Sequence, residues 1–157
     1  MTLGFRYCFC SVGMVLVLGC GSAETKGPNW PDPVPVTGIV TLNDQPLSDA
    51  TVTFTPIEKT VGNGGSGVTD SSGKYTLQST WGDGKTVKPG AIPGNYRVVI
   101  SRMVTQDGKV WKQDPNVGPM SVGAREELPD EYAFDSKLTA EVTTANPTID
   151  FKLNKAN

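Results

Sequence analysis

From Val36 onward the apolar side chains recur at every second position. Val36, Gly38, Val40 and Leu42 fall on one side of an extended chain, and Thr37, Ile39 and Thr41 on the other. Ala50, Val52 and Phe54 alternate in the same way with Thr51, Thr53 and Thr55, and Tyr96, Val98 and Ile100 with Arg97, Val99 and Ser101. A period of two is the signature of a strand with one buried face, because successive side chains of a pleated backbone point to opposite sides. No window of roughly ten residues in this part of the chain carries the helical period instead. The alternation therefore commits the chain to sheets stacked on a shared apolar layer.

The segments between the alternating runs carry turn chemistry. Asn43-Asp44-Gln45-Pro46 and Asp70-Ser71-Ser72-Gly73 read as reverse turns, and Tyr75 and Leu77 share one face of the strand that returns from the second. Pro56 ends the strand before it, and Gly62 to Gly67 and Gly82 to Gly94 read as loops. Asp107-Gly108 is a hairpin signal, so Met103 to Thr105 and Lys109 to Trp111 are expected to form a small flap beyond the strongest strand. Residues 113 to 135 show no period. Leu138, Ala140 and Val142, then Asn146-Pro147, then Ile149, Phe151 and Leu153 give a strand, a turn and a last strand. The expected fold class is all-β, a sandwich of about seven strands spanning residues 36–154.

Composition removes whole classes of chemistry. The chain has no histidine, so catalytic triads that use one, His-type zinc sites and the 2-His-1-carboxylate iron site are all excluded. Its three cysteines are Cys8, Cys10 and Cys20, all near the start, so the sandwich has no disulfide framework and must be held by its core. Removing residues 1–19 would take away Arg6 and leave 13 basic side chains against 16 acidic, a net of −3. There is no basic block, which argues against a nucleic-acid partner.

The first 19 residues read as a targeting segment. A tip ending in Arg6 precedes an apolar, charge-free run from Tyr7 to Leu18, too short for a bilayer span of roughly 20 residues and of the right length for a signal-peptide core. Val17-Leu18-Gly19-Cys20 resembles the lipobox of bacterial lipoproteins. That resemblance implies a diacylglyceryl group on the Cys20 thiol, cleavage after Gly19 and acylation of the new terminus. The other readings are a secretory signal cut elsewhere and an uncleaved short anchor. Two or more acyl chains hold a protein stably to a membrane where one does not. Residues 20–35, with Pro28, Pro31, Pro33 and Pro35, read as an extended, semi-rigid tether that does not pair as an edge strand. Gly21 stands where enteric inner-membrane lipoproteins carry aspartate, so an outer-membrane place in the cell envelope is expected.

Four pieces of the sandwich region share one family pattern. They are Val36 to Pro56, Thr69 to Tyr75, Gly90 to Val98, and the final Leu138 to Val142 with Asp150 to Leu153. The chain resembles the carboxypeptidase-regulatory-like (transthyretin-like) domains, in which a Gly-x-Val strand leads into N-x-x-P-L-x-x-A-x-V-x-F. The resemblance implies a Greek-key β-sandwich. It implies no catalytic residue, since such domains are appendages of the enzymes that gave them their name.

Other constellations dissolve on inspection. Gly82-Asp83-Gly84-Lys85-Thr86 holds Gly-Lys-Thr, but Ser79 stands where a phosphate loop needs glycine, and Pro89-Gly90 oppose the following helix. Glu126, Glu127, Asp130 and Glu131 match no calcium-loop spacing and read as a solvated surface turn. No metal or cofactor is expected. Trp30, Trp81 and Trp111 sit outside the strands; Trp81 and Trp111 are the candidate ligand-contacting aromatics, weighed against a simpler role in covering the sandwich ends. The expectation is a non-catalytic protein joined to the membrane by its lipid, with an envelope protein or a polysaccharide as partner. The alternatives are a carbohydrate-binding module of the starch-binding-like sandwich type and, more distantly, an unrecognised hydrolase.

Overall fold

The computed structural model describes residues 29–155 apart from 113 and 115. The targeting segment, Cys20 and the tether as far as residue 28 lie outside the described residues. The chain runs through β1 (Thr37–Leu42), β2 (Gln45–Pro46), β3 (Thr51–Pro56), β4 (Gly65–Val68), β5 (Lys74–Thr76) and β6 (Gln78–Thr80). It continues through β7 (Val87–Pro89), β8 (Gly94–Ser101), β9 (Met103–Val104), a 3-10 turn (Pro119–Val122), β10 (Arg125–Glu126), β11 (Thr139–Val142) and β12 (Phe151–Leu153). No helix among the described residues is long and apolar enough to cross a membrane.

The strands build an all-β, sandwich-like body. The larger sheet has the order β11-β8-β3-β4-β6-β7, antiparallel throughout, and the smaller one sets β12-β1-β2 together with β5 beside β1. The alternation found in the sequence decides what faces inward. Val52 and Phe54 of β3, Tyr96, Val98 and Ile100 of β8, and Ala140 and Val142 of β11 are buried from the larger sheet. Val40 of β1, Tyr75 of β5, and Phe151 and Leu153 of β12 meet them from the smaller one. Phe54 is the meeting point, with ring centroids 5.7 Å from Tyr96, 6.4 Å from Tyr75 and 6.2 Å from Phe151. Each of the buried Val, Leu, Ile and Phe side chains contributes roughly 1.5–3 kcal/mol by leaving water.

Several expectations hold in detail. Asn43 and Asp44 take φ of 50° and 62° between paired Leu42 and Gln45, the two positive values that a tight hairpin turn demands. The Asp70 carboxylate accepts hydrogen bonds from the Ser72 amide at 2.8 Å, the Ser72 hydroxyl at 2.6 Å and the Lys74 amide at 3.0 Å, closing the turn into β5.

Others need correction. Among the described residues, twelve short strands replace the expected seven or so, partly because the strand carrying Tyr75 and Leu77 splits between sheets. Buried Leu77 is the pivot between β5 in the smaller sheet and β6 in the larger. The glycine stretch expected as a loop contains β4, an interior strand between β3 and β6. A Cβ on Gly67 would lie 2.4 Å from the Thr76 carbonyl oxygen, so the missing side chain is what lets the two segments approach. β7 lies inside the second expected loop. The aperiodic 113–135 stretch supplies buried Leu128 and Ala133. The tether does pair at its end: Val34 exchanges two backbone hydrogen bonds with Ala91, at 2.8 and 3.0 Å. The last strand returns parallel to the first, with Val40 opposite Phe151.

Two outcomes follow. Ala at position 38 would put a Cβ 1.8 Å from the Ile149 carbonyl oxygen and 2.8 Å from the Tyr75 ring. Urea unfolding of Gly38→Ala should therefore show a loss of about 3 kcal/mol or more; an unchanged midpoint would contradict the close approach. Burial raises the Tyr96 phenol from 10.0 to about 12 and pushes Tyr75 up as well. Neutral phenols are favoured in the folded state, so this stability is complete below pH 10.0 and fades as pH climbs toward about 12. The fall should be shallower in Tyr96→Phe, measured as thermal midpoint against pH.

Candidate functional site

The threonines that alternate with the core residues of β3 form the outer face of the larger sheet. Thr51 stands beside Val68 on one side and Ser101 on the other, Thr53 beside Ser66, and Ser66 beside Gln78. The result is a row of hydroxyl and amide groups on a stiff sheet, with Val68 left 60% exposed among them. An apolar side chain of that size stranded in a polar field is the informative exception.

The expected flap overhangs one end of this face. Thr105 and Lys109 pair across the Asp107-Gly108 turn, and the Trp111 amide donates to the Met103 carbonyl at 2.8 Å. The acidic cluster fastens the flap's base. The Glu126 carboxylate accepts from the Ser101 hydroxyl at 2.6 Å, the Arg102 amide at 2.9 Å, the Glu127 amide at 3.1 Å and the Leu128 amide at 3.0 Å. Arg102 and Glu127 form a half-buried ion pair at 3.3 Å. Glu126 and Glu127 are thus a clasp and not part of a solvated turn. Among the described residues, no three acidic or cysteine side chains converge to hold a metal ion.

Trp111 lines a cavity of about 340 Å³ together with Asp49, Thr51, Val68, Ser101, Met103 and Lys112. A second, more open groove of about 620 Å³ shares Thr51 and Val68 with it and runs on past Ser66, Thr76 and Gln78. Together these two cavities, which border the same Thr51 and Val68 side chains, are the trough of this face.

Trp81 belongs to another place. It opens the β6–β7 connection, where the Asp83 carboxylate accepts from the Lys85 and Thr86 amides at 2.9 and 2.8 Å. The Thr86 hydroxyl, with those amide bonds beside it, holds the Asp83 carboxyl down at about 2. The segment is therefore a capped turn, in keeping with the absence of a phosphate-loop pattern. The Trp30 ring meets Trp81 edge-on at 5.6 Å, and the Lys88 ammonium sits 3.7 Å from the centre of the Trp81 ring while pairing with Asp32 at 3.1 Å. The Trp81 ring is thus engaged by this chain's own groups.

Strand register fixes the two sites at opposite ends. Thr51, Val68 and Ser101 lie side by side at one end of the larger sheet, and Phe54, Gly65 and Val98 lie side by side toward the other. The flap follows Ser101, whereas Trp81 follows Thr80 beyond the Ser66–Gln78 pair, toward the Gly65 end. Of the two candidate tryptophans, only Trp111 borders the trough. Thr51 escapes sequence reasoning because an alternating run is read for its inward face, and Val68, Met103 and Lys112 because they belong to no alternating run.

Comparison of the chain with protein-family models, with curated proteins and with solved structures finds no match.

Proposed function

We propose that this chain is a non-catalytic, lipid-anchored protein of the cell envelope, in which a transthyretin-like sandwich serves as a binding module. The observation that carries the reading is the trough beneath Trp111 at one end of the larger sheet, with the incoming chain fastened at the other. Residues 30–34 hold to the domain through Trp30 on Trp81, Asp32 on Lys88 and Val34 on Ala91. A tether rising from Cys20 would reach the domain at its Trp81 end and leave the Trp111 end turned away from the membrane. That orientation suits capture of something outside the lipid surface.

The absence of histidine from the whole chain supports a binding role over a hydrolytic one. The serine and threonine hydroxyls in the trough have no imidazole to activate them. The outer-membrane location rests on Gly21 and on the lipobox resemblance of Val17 to Cys20.

Mass spectrometry of the protein from its own host tests the anchor. The expected terminus is an acylated Cys20 with residues 1–19 removed, and a free Cys20 thiol would refute it. Pull-down of the detergent-solubilised protein tests the module. A partner retained by the native chain should be lost from Trp111→Ala while the thermal midpoint moves by no more than a few degrees. A partner retained equally by both would place the binding surface elsewhere.

A further inference from the structure

We infer that the trough beneath Trp111 takes an uncharged polysaccharide chain, with the indole as stacking wall and the outer hydroxyls and amide of the larger sheet as floor. The inference rests on the binding-module reading and names the occupant of the same surface.

Shape comes first. The cavity lined by Trp111 and the more open groove both border Thr51 and Val68, so a chain laid over that pair of side chains would touch both. An open trough suits a chain that enters and leaves, whereas small-molecule sites bury most of their ligand in an enclosed pocket.

The lining is mixed in a particular way. Thr51, Ser66, Thr76 and Gln78 offer neutral donors and acceptors, Ser101 an acceptor oxygen whose proton is given to Glu126, and Val68, Met103 and Trp111 apolar contact. A sugar ring has the same two characters, an apolar C–H face and a rim of hydroxyls. An indole can cover the first while hydroxyl and amide side chains bind the second.

Charge then chooses among polymers. Asp49 and Lys112 face each other at 3.7 Å, and the remaining charges on the trough are one acid, Asp70, and one base, Lys74. Asp70 is already held by the Ser72 hydroxyl and amide and the Lys74 amide, which lower its pKa below the usual 3.8. Two acids and two bases leave no net field to attract a polyanion or a polycation. A peptide added as an extra strand would need a free edge, but β3 and β4 are each hydrogen-bonded on both sides.

The test uses the full-length protein in detergent micelles. The probes are an array of neutral oligosaccharides, α- and β-linked hexose and pentose oligomers, with uronic-acid oligomers as charged controls. At least one neutral oligomer should bind, shift the tryptophan emission and resist added salt. Trp111→Ala should weaken it about tenfold or more, with Trp111→Phe recovering most of the loss. Thr51→Val, which keeps the β-branched shape, should weaken it several-fold by removing one hydroxyl, and Trp81→Phe should leave it unchanged.

Preference for uronic-acid oligomers, or binding that collapses with salt, would overturn the choice of an uncharged chain. No binding to any neutral oligomer, together with Trp111-dependent recovery of a protein in the pull-down, would refute the polysaccharide and leave the module standing. No Trp111-dependent binding in either experiment would remove both.

Discussion

The close approach at Gly38 is the constraint on which the rest of the sandwich depends. Tyr75 lies opposite Gly38 in the register of β1 and β5, and its hydroxyl donates to the Ile149 carbonyl at 2.6 Å. The bare glycine gives the Tyr75 ring and the Ile149 backbone room to come together over β1. Around that point the Thr37 amide donates to the Pro147 carbonyl at 2.9 Å, and the Ile149 amide to the Thr37 carbonyl at 2.8 Å. One position therefore joins the first strand, the strand after the Asp70 turn and the approach to the last strand. With no cysteine beyond Cys20, ends separated by more than 100 residues are closed by packing and hydrogen bonds alone. Phe54, Phe151 and Tyr96 build outward from the Tyr75 ring, so the aromatic centre of the core depends on the same vacancy.

The alternating runs were legible because side chains report which way a strand faces, and β1, β3, β8, β11 and β12 all carry them. β4 was not legible for the complementary reason. Gly65 and Gly67 have no side chains to show a period, and their role is to let the backbone carbonyls of Gln78 and Thr76 come near. A glycine-rich loop and a glycine-rich interior strand look alike until the neighbouring strands are known. Leu128 and Ala133 were invisible because the turns on which they sit bury single residues without periodicity. The parallel return of β12 beside β1 depends on the path of the whole chain, and no local pattern encodes it.

The candidate site divides in the same manner. In the sequence Trp81 and Trp111 look alike, since both are tryptophans outside the strands. Their difference arises from distant residues: Asp32 and Lys88 lie 56 positions apart, yet together they engage Trp81. The flap that carries Trp111 was readable from Asp107-Gly108, but its anchorage was not. Four hydrogen bonds converge on Glu126, and only folding brings Ser101 and Arg102 to a carboxylate 24 or 25 residues downstream.

That anchorage bears on how the flap could serve as a binding wall. A hairpin of two-residue strands is marginal by itself, so Trp111 would have no fixed position if the flap merely projected from β8. Glu126 ties β10 to the end of β8, and β10 pairs with β9 through Arg125 opposite Val104 and Glu126 opposite Met103. The floor is stiff for a different reason, since threonine on a central strand has a restricted side-chain torsion. A fixed wall above a fixed floor lowers the ordering cost of binding, which otherwise consumes much of the gain from an open, half-solvated contact. Of the acidic cluster, which by composition resembles a cation site, Glu126 and Glu127 thus act in the fold as fasteners of the flap.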